Sequence, residues 1–314
     1  MKKFIRFAKV QKIEIWLQLK LSSHVFFSVK SGDSELELEV LDSTSEEKFI
    51  DVSKYQKSSY FYANEMPTIL RTKVTIAESR ISFISSRGLN NHKAMELHKF
   101  FCNVFSAPSH LFLEVYDYTS SNSANLGEIT RSSIKKGPGS WSDFCELYNC
   151  NSDQDFSKID FDFNLYHALP KANGVHQTKN LMINNVGNTV PGFLLSFSGE
   201  YALLQNSESG AFWFRTFLGK WKQQSNGRIK SVIVYQKPEH PIDVTCVMNG
   251  LLTEKWNSLT RPRHFPYESM IRKYHNFAPD FFNCADGLDI RRETDGKRAT
   301  VKITSTCFSF FVWQ

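Results

Sequence analysis

No run of apolar residues in this chain approaches the roughly 20 that a membrane-spanning helix needs, so no helical span is expected. The opening "MKKFIRFAKVQKIEIWLQLK" has the lysines of a signal peptide but not its apolar stretch, because Arg6, Lys9, Lys12, Glu14 and Lys20 interrupt it. Secretion is not expected. Cys102, Cys145, Cys150, Cys246, Cys284 and Cys307 include no C-x-x-C pair, and no N-glycosylation sequon occurs. Both absences point to a reducing compartment, the cytosol or the nucleus, with buried free thiols. Cys145 and Cys150 stand close together, but no second pair or nearby histidine follows at finger spacing, which argues against zinc. A strong charge of one sign is missing too. Lys and Arg number 38 against 32 Asp and Glu, a formal net charge of +6 that is too small by itself to argue for nucleic acid.

The patterns of catalysis are equally scarce. Gly187-Asn-Thr-Val-Pro-Gly192 has the spacing of P-loop glycines but continues with Phe193-Leu194, where a lysine must neutralise phosphate and a hydroxyl must hold magnesium; a surface loop is expected instead. His92 and His98 are six apart and do not share a helical face, no H-E-x-x-H or G-x-S-x-G occurs, and "GPGSWSD" around Ser140 reads as a turn and helix cap. Asp153, Asp155, Asp160 and Asp162 lack the glycine and terminal glutamate of a calcium loop, and the last two alternate with Ile159, Phe161 and Phe163 as on a strand. The expectation is a protein that is not an enzyme and carries no cofactor or metal.

What is present is a large apolar content, 41% of residues with 27 Phe, enough for a substantial core. "KIEIWLQLK", "HVFFSVK" and "SELELEVLD" alternate with period two and predict an antiparallel meander, and "TKVTIAESRISFIS" two further strands or a bent hairpin. Near residue 91 the period changes: Ala94, Leu97, Phe101 and Phe105 predict a helix stopped by Pro108, and "HLFLEVYDY" a strand after it. "SWSDFCELYNC" predicts a short helix and "TKNLMINN" a short strand. Phe214, Phe217, Leu218 and Trp221 then fall at i, i+3, i+4 and i+7 of a helix that Ser207 or Ser209 would cap and Asn226-Gly227 would end, with the strand "RIKSVIVY" following. The stripe makes Trp221 a core residue, and the same is expected of Trp213.

At the chain's end, "GLDIRRE" and "KRATVKI" flank Thr294-Asp295-Gly296, which predicts a hairpin with a type I′ turn. "CFSFFVW" predicts a strand covered on both faces. The fold class is therefore α+β: antiparallel N-terminal strands, then irregular helix–strand units like those of leucine-rich repeats, then a C-terminal β-hairpin plus a final buried strand. Residues 1–314 read as one compact unit, strand-rich over 1–90, built of helix–strand units over 91–245, and closing over 246–314.

Two basic clusters interleave with aromatics, "GKWKQQSNGRIK" and "RPRHFPYESMIRKYH", and Lys220, Lys222, Arg228, Arg261, Arg263, Arg272 and Lys273 could form a patch. No RNP, KH or zinc-knuckle motif accompanies them, so solvated faces are the default and nucleic-acid binding the alternative function. In a curved sheet the loops and concave face bind partners, which makes the 185–192 loop and the 258–266 segment with Arg261, Arg263 and His264 the candidate partner-binding positions.

Three stretches carry a resemblance. In "LLSFSGEYALLQNSESGAFWFRTFLGKWKQQSNGRIKSVIVY", Phe217, Leu218, Trp221, Asn226, Arg228 and Ile229 stand in the order strand, helix with Phe-Leu-x-x-Trp, then Asn-x-Arg leading to a strand. The end supplies Asp289-Ile290-Arg291-Arg292, Asp295-Gly296, Ala299-Thr300-Val301 and Phe310-Phe311-Val312-Trp313. The third is "KKFIRFAKVQKIEIWLQLK". Together they resemble the type 2 F-box-associated domain of nematode F-box proteins, most specifically over residues 179–235 and 286–313. The resemblance implies a non-enzymatic protein-binding module related to the substrate-recognition region of cullin–RING ubiquitin ligases. It also implies a chain that opens where a family member's F-box is already ending, with Lys2 to Lys9 as the remnant of its last helix. Its partner would be a protein substrate, and a Skp-type adaptor only where a complete F-box exists.

Overall fold

The computed structural model describes residues 13–19, 24–31, 34–42, 57–63, 66–75, 80–85, 112–115 and 131–134 as strands, together with 154–160, 174–224, 227–273 and 279–313. The helices expected over 91–107 and 140–150 lie outside these residues. The chain divides into two compact units, Met1–Gly139 and Ser140–Gln314, where the sequence reads as one. The architecture is mixed α/β, with few helices among the described residues and strands in large mixed sheets.

In the first unit the strands are β1 (Ile13–Leu19), β2 (His24–Ser31), β3 (Ser34–Asp42), β4 (Lys57–Ala63), β5 (Met66–Thr75), β6 (Arg80–Ser85), β7 (Phe112–Val115) and β8 (Arg131–Ile134). β1, β2 and β3 pair antiparallel in sequence, β6 joins β3 in parallel, and β5 and β4 follow antiparallel. On the other side of β1, β7 and β8 add in parallel.

The second unit begins with four parallel strands in chain order: β9 (Phe156–Asp160), β10 (Asn180–Asn184), β11 (Tyr201–Ser207) and β12 (Ser231–Gln236). Parallel neighbours need a crossover between them. A 3₁₀ turn at Gly174–Gln177 precedes β10, helix α1 (Val190–Ser196) separates β10 from β11, and helix α2 (Ala211–Gln223) separates β11 from β12. After the short helix α3 (Val244–Met248) come β13 (Glu254–Lys255), β14 (His264–Pro266), β15 (Phe281–Asn283), β16 (Leu288–Arg291), β17 (Arg298–Ile303) and β18 (Cys307–Val312). β18 pairs antiparallel with β12, and β17, β16 and β13 continue outward. β14 and β15 form a separate two-stranded ribbon.

β18 explains the aromatic end of the chain. Side chains alternate across a strand, and here both faces are buried. On one face Phe308 stacks with Phe214 at 4.6 Å, and Phe310 meets Phe217 at 5.2 Å and Trp221 at 5.1 Å, so the predicted stripe of α2 lies on this strand. On the other face Phe311 packs against Phe265 at 5.0 Å and Phe282 at 4.9 Å. The sheet is thus a middle layer, with α2 on one side and the 14–15 ribbon on the other.

Three local expectations change. The N-cap of α2 is Gly210 and no side chain caps it; Ser207 lies in β11, where its Oγ accepts from Ser209 N at 3.1 Å, and the helix ends at the cap Gln224. Residues 190–192 are no loop but the first turn of α1, started by Pro191, whose missing N–H costs nothing there. The 16–17 hairpin is present, but Asp295 does not take the positive φ of a type I′ turn; among these residues Gly296 alone does, at +70°. Asp295 is held otherwise: its carboxylate accepts from Arg292 Nε and Nη2 and from Lys297 N, so the hairpin closes through a longer loop with Arg292 N on Lys297 O.

Candidate functional site

The three candidate residues of the 258–266 segment separate into two roles. Arg261 is 5% exposed. Its Nε donates to both Asp289 oxygens at 2.9 and 2.8 Å, Nη2 to Cys284 O at 2.8 Å and Nη1 to Pro262 O at 3.0 Å. The guanidinium lies 4.9 Å from the Trp313 ring centre. Asp289 also accepts from Thr300 Oγ1 at 2.7 Å, and that oxygen accepts from Trp313 Nε1 at 2.8 Å. A buried ion pair is tolerated only when its remaining hydrogen-bonding capacity is used, and here it is. Arg261 is therefore no partner contact: it is the pin that ties its loop to β16, β17 and the last tryptophan.

The pin sets the chain leaving it. Arg263 and His264 are exposed, as the sequence analysis expects of partner-binding residues, and they enter the ribbon. In register, His264 faces Asn283, Phe265 faces Phe282 and Pro266 faces Phe281. Phe265 and Phe282 point inward to Phe311, and Phe265 also meets Trp313 at 5.3 Å. Alternation then turns His264, Pro266, Phe281 and Asn283 outward, with Phe281 60% exposed. Backbone bonds from Cys284 N to Arg263 O and from Tyr267 N to Asp280 O, both 2.9 Å, close the ribbon at its two ends.

Side-chain polar contacts shape the rim. Arg263 Nε reaches Asn283 Oδ1 at 3.4 Å, and Lys302 Nζ bridges Asn283 O at 3.4 Å and Asp286 at 2.8 Å. The hydrogen bond from Lys302, with help from the nearby Arg263 charge, holds the Asp286 carboxyl below its usual range. At the other end Arg272 pairs with Asp280. Beneath the ribbon the Cys284 thiol is pushed up to about 11 by burial, so it is an inert apolar filler. Cys246, by contrast with the expected burial, is exposed.

The other sequence candidates do not join this surface as free charges. Among the basic residues, Lys222 pairs with Glu293 at 3.2 Å, Arg228 with Glu200 at 3.9 Å, and Lys220 donates to Leu195 O. In the 185–192 segment, Asn185 and Gly187 take positive φ and Asn206 Nδ2 donates to Asn185 Oδ1 at 2.6 Å, joining the ends of β10 and β11. Among the described residues no group of three His, Cys, Asp or Glu is placed to hold a metal, and no helix is long and apolar enough to cross a membrane. Pro266, Phe281 and Asn283 were not singled out by sequence; the alternation of Phe265 and Tyr267 against His264 and Pro266 is the signal that could have found Pro266. No family model, curated protein or solved structure matches this chain.

Proposed function

We propose that this chain is a non-enzymatic protein-binding module of the F-box-associated kind, a substrate-recognition domain related to those of cullin–RING ubiquitin ligases, and that the 14–15 ribbon is its binding surface. One observation carries the reading: the ribbon is locked on its inner face by Phe265, Phe282 and the Arg261–Asp289 pin, while it offers Arg263, His264, Pro266 and Phe281 outward. A preformed surface with an aromatic and an arginine is what interface hot spots are made of, because little conformational entropy is left to lose on binding. The run of parallel strands in chain order, with helices between β10, β11 and β12, supports the leucine-rich-repeat-like reading of this region.

The test is purification of the tagged chain from its own cells after nuclease treatment, beside a double variant Arg263→Ala/Phe281→Ser. Both side chains are exposed, so the variant is expected to fold normally while partner recovery falls about ten-fold or more. Arg261→Met is the contrast, expected to unfold more readily because it strands the buried Asp289 charge. Proteins recovered equally with the double variant would overturn the ribbon as the surface. Recovery of a Skp-type adaptor and a cullin would favour the ligase role; recovery that vanishes with nuclease would overturn the protein-binding reading.

A further inference from the structure

The register of the 14–15 ribbon decides which of its backbone groups point away from it. In an antiparallel pair, opposed residues alternate between those bonded to each other and those whose N–H and C=O turn outward along the edge. Cys284 N donates to Arg263 O and Tyr267 N to Asp280 O. Phe265 and Phe282 are the bonded pair between them, so His264 and Pro266 on β14, and Phe281 and Asn283 on β15, turn their backbone groups to the edges.

The two edges are not alike. On β14 Pro266 has no N–H to offer, which blunts an edge against further pairing, and the Trp313 ring stands against Phe265 at 5.3 Å. β15 keeps both of its outward N–H groups. Outside the ribbon, no hydrogen bond among the described residues uses the N–H of Phe281 or Asn283 or the C=O of Phe281, and Asn283 O receives only a long one, 3.4 Å, from Lys302 Nζ. Phe282 points inward like Phe265 but is only half-buried where Phe265 is 5% exposed, so the ribbon is open on the β15 side.

Such an edge is complementary to another extended backbone. In an added strand the residues facing Phe281 and Asn283 stand two apart, because side chains alternate. Opposite Phe281, 60% exposed, an apolar side chain gains most. Beside Asn283 lies Arg263, whose guanidinium reaches Asn283 Oδ1 at 3.4 Å and, among the described residues, no carboxylate at ion-pair distance. A carboxylate is the side chain that matches that position.

We propose that β15 takes up a third strand from a protein partner: an extended segment with an apolar residue opposite Phe281 and, two residues away, an aspartate or glutamate beside Arg263. This rests on the ribbon being the binding surface and states how a partner occupies it, by backbone hydrogen bonds along one edge.

The test begins with hydrogen exchange of the ¹⁵N-labelled full chain. The amides of Phe281 and Asn283 are expected to exchange about ten-fold faster or more than those of Phe282 and Cys284, which bond across the ribbon. Equal protection would mean that the edge is already paired and would overturn the proposal. The chain is then titrated with the fluorescent peptides Thr-Thr-Leu-Thr-Glu-Thr-Thr and Thr-Thr-Glu-Thr-Leu-Thr-Thr, one for each strand direction. One of them is expected to bind with a Kd below about 1 mM and to slow exchange at Phe281. Replacing its glutamate by glutamine is expected to weaken it several-fold. Two further versions carry N-methyl groups either on the leucine and glutamate or on the threonines between and beside them; because a strand offers every second N–H to one side, one version is expected to bind about ten-fold more weakly than the other. On the protein, Phe281→Pro removes the edge N–H without removing a ribbon bond, as Pro266 does opposite, and is expected to bind more weakly than Phe281→Ala, with slow exchange at Cys284 reporting an intact ribbon. The proposal is overturned if neither peptide binds, if the two methylated versions bind alike, or if the glutamine peptide binds as tightly. Methylated versions that bind alike while Arg263→Ala/Phe281→Ser still loses its partners would strike the added strand and leave the ribbon as the surface.

Discussion

At the scale of single residues, this protein handles buried polar groups in two opposite ways. Arg261 and Asp289 are fully satisfied and join four segments of the chain. His176 is 3% exposed with both ring nitrogens unpartnered among the described residues, tilted against Phe193 at 5.2 Å. Burial alone lowers its pKa to about 4 from the ordinary 6.5. Between these values the unfolded chain binds a proton that the folded chain refuses, so stability is present above about pH 6.5 and falls as pH drops toward 4. Urea denaturation at pH 7 and pH 5 should show wild type losing about 2 kcal/mol more than His176→Leu over that interval. Equal losses in the two proteins would mean that His176 is not the group responsible. Neither residue's environment was legible beforehand: Arg261 stood in a basic cluster that reads as solvated, and its carboxylate partner lies 28 residues away in sequence.

At the scale of elements, helix α2 and strand β18 followed from periodicity, because each buries a face wide enough to dominate its composition. Their ends did not. The cap of α2 fell on Gly210 because Ser207 is held in the β11 ladder, and the 16–17 turn lengthened because Asp295 is drawn to Arg292. Gly296 is left as the position that needs positive φ, at +70°, with open space around its missing Cβ. Backbone strain should therefore be the whole cost of a substitution there. Gly296→Ala is expected to lose about 1 kcal/mol and Gly296→Asn clearly less, since asparagine tolerates the left-handed region. Thermal and denaturant unfolding of the two variants would measure it, and equal losses would show that space rather than φ is limiting.

At the scale of the molecule, several of the basic residues behind the net charge of +6 are matched by carboxylates. Lys230 pairs with Glu200 at 2.8 Å, Arg291 with Glu254 at 2.9 Å and Lys302 with Asp286 at 2.8 Å, and Arg272 and Lys237 also have carboxylate partners. Binding to a labelled oligonucleotide should accordingly be no tighter than about 10 μM at physiological salt, insensitive to sequence, and abolished by added salt. Fluorescence anisotropy at several salt concentrations tests this; tight, sequence-selective binding would bring the nucleic-acid reading forward. The division into Met1–Gly139 and Ser140–Gln314 also belongs to this scale; it falls at Gly137-Pro138-Gly139-Ser140, a stretch that by itself reads only as a turn and helix cap.

By itself the sequence determined the mixed α/β character, the apolar stripe of α2 and the buried last strand, because periodicity and burial are properties of neighbouring residues. It grouped Arg261, Arg263 and His264 as candidate partner-binding positions without telling them apart. Only the tertiary structure decided that Arg261 turns inward to Asp289 and that Phe281 faces out while Phe282 faces in. Those outcomes depend on contacts between residues distant in the chain, where a side chain's fate is set by the partner it meets and not by the pattern around it.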